Sequence, residues 1–507
     1  MLDSYSPDGF TRVDIVDVGE RVVYAVLPPS LSDEERAELE EVLERLVYEV
    51  PSRVLLDRPL LLQRLKALGV PDKLAYFVES RIFGYQWLEP LMRDENLEDI
   101  HCFKPGVPVR VVHRDHGLIQ TNIIPGEEEV DRMVRLLAYR GGKAVSLFQP
   151  VLDTVILPGG ERASLTYRSE ASEASGFTVR KPPRDPWTLT RLITRGTLSP
   201  DCAALLWAAV DAKVPVLLYG PMRVGKTSLQ NALVMAIPPD MVVALVQDAP
   251  EIRTFHENLI SLFTSRRVGF EDLARLTLRR SVDYVVVNEV RVREEAYWWS
   301  QMVATGHGGI TTMHAFDPER VFARLREMEV GETLAESVKV VVRMALFKAH
   351  RDGRPTRIRR VISVDYVEGL ANYKPVLANA YAYDFHSDTL VAGPGLDKLV
   401  SLLEEAFKAD PMLEDRARFL DLAAKLGFRG AEDFWGLHLK FRQDPDAIIK
   451  GLEGAIARFG AKKPRERVTP IREIRYCPRC GVELPLGSQT CPRCGFELRV
   501  LAVGGAP

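Results

Sequence analysis

At 507 residues the chain is too long for one hydrophobic core, so two to four domains of roughly 100–200 residues each are expected. Composition is that of a soluble protein, with 46% hydrophobic and 27% charged residues, and a formal net charge of −3 excludes a global drive toward nucleic acid or an anionic membrane. No apolar run reaches the roughly 18–20 residues that span a bilayer.

The start, Met1-Leu-Asp-Ser-Tyr-Ser-Pro-Asp, has neither the basic nor the apolar region of a signal peptide. Residues 1–80 are expected to form a helical or variable region. Ser32 and Glu35 make a capping box, and Leu39, Val42, Leu43, Leu46 and Val47 then recur at helical spacing. Strand-like segments follow, such as Val107-Pro-Val-Arg-Val-Val-His and Phe177-Thr-Val-Arg, so 81–180 reads as an α+β domain. Lys181-Pro-Pro-Arg-Asp-Pro-Trp forbids regular ladders and marks an interdomain linker, placed at 181–194.

From 195 to 345 helices alternate with near-continuous apolar runs: Val214–Tyr219, Met241–Val246, Tyr284–Val287 and Gly309–Met313. Such runs are strands of a parallel sheet covered by helices on both faces, and the fold class is α/β. Residues 346–460 turn strand-rich and then helical, an expected C-terminal α/β extension. Residues 461–475 are a basic linker with two prolines, and 476–500 form a small unit of their own.

The chemistry begins at Gly220-Pro221-Met222-Arg223-Val224-Gly225-Lys226-Thr227, which fits G-x4-G-K-[ST] directly after a buried strand and before helical sequence. Backbone N–H groups there, with Ser228 in the first helical turn, can surround a nucleotide's phosphates. Lys226 would neutralise β/γ-phosphate charge and the Thr227 hydroxyl would ligate Mg²⁺. Met222 and Arg223 are bulkier than the residues usual at the loop's tip. Hydrolysis needs a carboxylate at a neighbouring strand end, and Glu289 after Tyr284-Val-Val-Val-Asn288 supplies it, to order the attacking water or hold Mg²⁺ through its shell. Asp248 or Glu251, after the next apolar run, could reach the metal's water shell. His307 and His314 flank the strand that follows, beside the nucleotide, as hydrogen-bond donors to phosphate. Trp298-Trp299 are expected to pack beneath a helix.

Together these residues resemble the secretion-motor ATPases of type II and type IV secretion, type IV pili and archaella. That family orders a P-loop, an Asp box, a Walker B strand and a His box, matched here by Gly220–Thr227, Gln247–Glu251, Asn288-Glu289-Val-Arg291 and Gly306–His314. Leu88-Glu-Pro-Leu-Met-Arg-Asp, Leu97-Glu-Asp-Ile-His and Leu157-Pro-Gly-Gly-Glu-Arg162 resemble its N-terminal domain, the archaeal branch above all.

The resemblance implies an N-terminal α/β domain linked to a RecA-like ATPase domain, and a homohexameric ring with nucleotide between the domains. It places Arg162 and Arg180 over the phosphates and counts Arg291 with the catalytic set. It also implies a cytoplasmic motor that acts on an integral-membrane platform protein to build filaments or secrete protein. Two departures stand out. The Asp box begins Gln247-Asp248 where the family usually has Glu-Asp, and Asn288 stands where glycine usually precedes the Walker B glutamate. Both favour slow or partner-stimulated turnover, and the alternative is a nucleotide-binding subunit that does not hydrolyse. A RecA-like nucleic-acid motor would need a basic channel that the net charge does not announce.

Six cysteines in so long a chain argue against a disulfide framework. Cys102 and Cys202 stand alone as expected buried hydrophobes. Cys477-Pro-Arg-Cys480-Gly and Cys491-Pro-Arg-Cys494-Gly are two CxxCG turns, the tetrahedral thiolate set that Zn²⁺ prefers. So short a segment cannot bury a core, and the metal should contribute on the order of 10 kcal/mol of its folding energy. Chelation should therefore unfold the ribbon and leave the ATPase core intact, as followed by amide exchange. Ribbon amides still protected after chelation would refute this.

Overall fold

The computed structural model describes residues 2–460, apart from 20, 56, 169–170, 183–184, 266, 331–336, 352–353, 372–373 and 385–386, together with residues 475–476 and 483–484. The chain divides into two compact units, residues 1–182 with 466–507, and residues 183–465.

The first unit is built on nine strands: β1 Asp3–Tyr5, β2 Arg12–Asp17, β3 Val22–Leu27, β4 Leu97–Cys102, β5 Arg110–His113, β6 Gly117–Thr121, β7 Val151–Ile156, β8 Arg162–Thr166 and β9 Gly176–Arg180. Their order is β1-β2-β3-β6-β5-β4-β9-β8-β7, antiparallel except for the parallel pair β3–β6. The helical or variable region expected over 1–80 is thus corrected, because three of these strands precede residue 28. Val13 and Ile15 on β2 and Tyr24 and Val26 on β3 alternate into the core at period two, a pattern too short to stand out beside the long helix that follows. That helix spans Asp33–Glu49, and both arms of its capping box form between Ser32 and Glu35. The helix Glu127–Arg140 buries Val130, Met133, Val134 and Leu137 in the core that the sheet lines with Ile100, Val111, Val155 and Val179.

The second unit carries a RecA-like sheet of nine strands: β10 Val216–Tyr219, β11 Val243–Gln247, β12 Leu259–Phe263, β13 Tyr284–Val287, β14 Gly308–Met313, β15 Val340–Arg351, β16 Arg354–Ala371, β17 Lys374–Asp384 and β18 Thr389–Ala392. The order is β12-β11-β13-β14-β10-β15-β16-β17-β18, parallel as far as β15 and antiparallel beyond it. Every residue of β10, β11, β13 and β14 is buried, which is why their sequences are apolar runs rather than alternations.

Two expected boundaries shift. The second half of the 181–194 linker belongs to this unit: Leu189 and Leu192 are in its core, and Asp185 accepts a hydrogen bond from the Ala431 amide at 2.9 Å. The 346–460 stretch is no separate extension, since β15–β18 continue the sheet of the second unit. The helices Leu396–Phe407, Leu413–Leu426, Ala431–Gln443 and Pro445–Phe459 share that unit's core. Trp299 is fully buried, and Cys102 and Cys202 are buried with their thiol pKa values raised by desolvation. Among the described residues no helix is long and apolar enough to cross a membrane. In the expected linker and ribbon, 475–476 and 483–484 pair as antiparallel strands, while Cys477, Cys480, Cys491 and Cys494 lie outside the described residues.

The helical bundle is fastened by a buried carboxylate. Asp211, ending the helix Pro200–Asp211, meets Arg416 at 2.7 Å and Arg442 at 2.5 Å, and the Arg416 guanidinium lies 4.5 Å from the centre of the Trp207 ring. One carboxylate thus compensates two guanidiniums out of water. Asp211→Ala should lower the unit's stability by about 3–5 kcal/mol, because it strands buried charge. Urea denaturation checks this, and a loss under about 1 kcal/mol would mean that water already solvates both arginines.

Candidate functional site

The site grows from the carboxyl ends of four adjacent parallel strands, β11, β13, β14 and β10. β10 delivers the chain to Gly220, whose φ is +154°, and a Cβ there would come within 2.4 Å of the Met344 carbonyl oxygen. Gly225, at φ +98°, caps the helix Lys226–Val234, so the loop turns directly into a helix N-terminus. Between them Val224 is buried and Met222 is exposed. Free N–H groups of the first helical turn give this end a partial positive charge that attracts anions. Pro221 and Arg223 lie in the loop itself, and Thr227 and Ser228 in the first turn of the helix.

Lys226 is 7% exposed, and its ammonium donates to the Gly220 carbonyl at 3.0 Å and the Pro221 carbonyl at 2.9 Å. It also meets His314 Nδ1 at 2.9 Å. Burial pushes its pKa down to about 8, against the opposing pull of Glu289. An ammonium only donates, so His314 Nδ1 is the acceptor and the ring proton sits on Nε2. That nitrogen lies 3.0 Å from Glu289 Oε1. Lys226, His314 and Glu289 therefore form a continuous chain of contacts across the strand ends.

The backbone beneath Glu289 is fixed from three sides. The Val287 carbonyl accepts Gln230 Nε2 at 2.8 Å and Thr311 Oγ1 at 2.9 Å, and the Asn288 carbonyl accepts Thr312 Oγ1 at 2.9 Å. Arg324 donates to the His314 carbonyl at 2.6 Å. The pattern of motifs gave no signal for these roles of Gln230, Thr312 and Arg324, whose partners are backbone atoms on other elements or turns.

In the second acidic strand end, Gln247 is buried and its Oε1 accepts the amides of Glu251 and Ile252, both at 3.2 Å. Any side-chain acceptor can perform that task, so glutamine here still orders the turn. Glu251 accepts Asn288 Nδ2 at 3.3 Å. Asp248 instead faces Arg291 at 2.9 Å, and Arg291 also reaches Glu295 at 3.0 Å. Burial disfavours the Arg291 charge, but the two carboxylates outweigh it and hold the pKa above its ordinary value. Asp248 and Arg291 are thus engaged with each other.

His307 is a correction. β14 begins at Gly308 and runs parallel to β10, so His307 lies at the opposite end of the sheet from the loop, with the six-residue strand between it and His314. Its Nδ1 contacts the Met302 carbonyl at 2.9 Å and Thr305 Oγ1 at 3.1 Å, closing the helix Arg293–Ala304. The neighbouring glycines serve packing: a Cβ at Gly308 would meet the Tyr284 ring at 2.3 Å, and one at Gly309 would meet Val303 at 2.4 Å.

In the first unit Arg162 and Arg180 are directly opposed on β8 and β9, with Asp99 opposite Arg180 on β4. Directly opposed residues present side chains to one face, so these strands hold two cations side by side. Arg180 Nε is 3.3 Å from Asp99, and Arg162 donates to Thr154 Oγ1 at 3.2 Å.

For Mg²⁺ the donor set fits. Thr227, Glu251 and Glu289 offer only hard oxygens, and among the described residues Asn288 Oδ1 is buried beside Glu251 without a hydrogen-bond partner.

Comparison with known proteins agrees with this geometry. The family model of the type II/IV secretion system protein matches residues 172–359, and that of the zinc-ribbon domain matches 476–498. An uncharacterized protein of Methanocaldococcus jannaschii is 33% identical over 315 residues, covering 60% of this chain and 56% of that one. A second from the same organism is 35% identical over 188 residues, 35% of this chain and 69% of its own length. The type IV secretion system protein PtlH of Bordetella pertussis is 30% identical over 254 residues, 42% of this chain and 74% of PtlH. Of the first two relatives the chain spans only 56% and 35%. Among solved structures, the VirB11 ATPase of the Brucella suis type IV secretion system, in complex with sulphate, is 26% identical with a TM-score of 0.29, covering 55% of this chain and 93% of that one. DotB of Yersinia pseudotuberculosis is 17% identical at 0.41, covering 72% and 92%. With Gly220–Thr227, Glu289 and His314 converging in the matched stretch, and PtlH 30% identical over 74% of its own length, the chain belongs to the type II/IV secretion system protein family.

Proposed function

We propose that this protein is an ATP-hydrolysing motor that powers type II/IV secretion or the assembly of a pilus- or archaellum-like filament. The observation that carries the reading is the contact chain from Lys226 through His314 to Glu289, laid beside a loop built to bind phosphate. ATP entering the loop replaces the Gly220 and Pro221 carbonyls as partners of Lys226, whose charge then rests on the β- and γ-phosphates. His314, released from Lys226, has its Nδ1 lone pair free while Nε2 stays beside Glu289. Glu289, held at the end of its strand with His314 Nε2 3.0 Å away, orders the water that attacks the γ-phosphate. Mg²⁺, held by Thr227 and through water by Glu289, would supply neutralisation of phosphate charge. Arg162 and Arg180 suit the role of cations drawn over the phosphates. Zn²⁺ would be held by Cys477, Cys480, Cys491 and Cys494 as a structural ion.

The working assembly is a homohexamer in the cytoplasm, coupled to the membrane through a platform protein, with no nucleic acid as partner. The reading of a nucleotide-binding subunit without turnover has one observation in its favour: Asn288 ties up Glu251 where a glycine would leave it free.

Two measurements test this. ATP turnover per subunit should rise with protein concentration as the ring assembles, and Glu289→Gln should lower it by about a hundredfold or more. Flat rates equal to those of the mutant, with ATP still bound, would make the chain a nucleotide-gated subunit. Asn288→Gly should free Glu251 and raise kcat by about tenfold, the worth of one hydrogen bond to a carboxylate. An unchanged or lower kcat would make Asn288 part of the productive arrangement.

A further inference from the structure

We infer that Arg359, on β16, is a positioning residue of the phosphate-binding loop: it fixes the peptide between Arg223 and Val224 so that the loop's amide donors face the phosphates before nucleotide arrives. The inference rests on reading Gly220–Thr227 as the nucleotide site.

Arg223, at the tip of the loop, has φ +64°, a left-handed conformation that residues bearing a Cβ adopt only when something holds them there. Arg359 supplies the hold. Its Nε donates to the Arg223 carbonyl at 3.0 Å, from 136 residues further along the chain. No peptide bond in the described residues is cis, and across a trans peptide the carbonyl of one residue and the N–H of the next point in opposite directions. With the Arg223 carbonyl turned to Arg359, the Val224 N–H is turned to the opposite side of the loop.

Both loop glycines show which side that is. A Cβ on Gly225 would lie 3.3 Å from Arg359 Cδ and 3.5 Å from Met344 Cε, and one on Gly220 would lie 2.4 Å from the Met344 carbonyl oxygen. The hairpin of β15 and β16 is therefore the back wall of the loop. A left-handed residue within such a turn gathers successive N–H groups toward one point, the concavity in which an anion sits. Arg359 acts on that concavity from behind, through the peptide it holds. Its neighbour Arg360 takes no part, being engaged by Asp388 at 2.6 Å and by the Arg195 carbonyl at 3.2 Å.

The test compares the full-length protein with R359A and R359K by hydrogen exchange without nucleotide, and by calorimetric titration with ADP and with pyrophosphate in the presence of EDTA. In R359A the peptide covering residues 220–227 should exchange about tenfold faster while the rest of the sheet is unchanged. Both ligands should bind about tenfold more weakly, because the loop must be ordered on binding. R359K, which keeps a donor on a flexible stem, should recover part of each effect. Should R359A fail to fold, R359Q carries the same comparison.

Weaker binding with unchanged exchange would overturn the inference by making Arg359 a direct ligand contact. Faster exchange across the whole domain would overturn it by making the residue merely structural, and unchanged affinity would overturn it outright. Failure of the folded wild-type protein to bind either ADP or pyrophosphate would instead overturn the nucleotide-site reading itself.

Discussion

A buried ammonium must be solvated by something, and without phosphate Lys226 takes that solvation from the protein: two carbonyls of its own loop and the ring of His314. The arrangement is a compromise, because burial still pulls the lysine's pKa down to about 8. A phosphate offers full charge where the loop offers only dipoles, so the exchange of partners is favourable on electrostatic grounds. It also carries information. The ring that shares Lys226 faces Glu289 on its other side, so on the proposed reading the lysine cannot change partners without altering the surroundings of the carboxylate that positions water.

The sheet decides which residues can join this exchange. In a parallel sheet all strands end on one edge, and the order β11-β13-β14-β10 places Gln247, Asn288-Glu289, His314 and Gly220 side by side. A six-residue strand at about 3.3 Å per residue carries its two ends about 20 Å apart, so only one of the two flanking histidines can serve the site. Sequence made His307 and His314 look equivalent because both follow or precede the same apolar run, and chain direction within the sheet separates them. Gly308 and Gly309 then find their reason in the bulk of Tyr284, Val303 and Trp299 rather than in phosphate.

Much of the site was legible because its signals are local. Gly220 to Thr227 is one turn, Glu289 ends one strand, and Ser32 with Glu35 is one cap. Where the answer depended on a distant partner, sequence was silent. Arg359 acts on Arg223 across 136 residues, and Gln230 reaches a carbonyl on β13, 57 residues away. The departure at Gln247 looked like a missing carboxylate, yet the side chain's task is to accept two backbone amides, which an amide oxygen performs. The first three strands escaped because two six-residue alternations and one of three residues carry little periodic signal. The expected boundary near residue 345 failed for a related reason: a change from parallel to antiparallel pairing alters the sequence pattern while the sheet continues unbroken.

That continuity bears on how far a change in the loop can reach. The loop's glycines rest on Met344 and Arg359 of the β15–β16 hairpin, and the hairpin's sheet shares a core with the C-terminal helices. Those helices are fastened through Arg416 and Arg442 to Asp211, at the end of the helix that precedes β10. Loop, hairpin and bundle therefore constitute one packed body, and close-packed interiors transmit displacement rather than absorb it. At its amino end this body is anchored by Asp185 on the Ala431 amide, while Lys181 is fastened to the Leu91 carbonyl of the first unit at 2.7 Å. Only residues 182–184, Pro-Pro-Arg, separate the two anchored segments. On the proposed reading, a change of partners at Lys226 therefore bears on the hairpin and the bundle as one body.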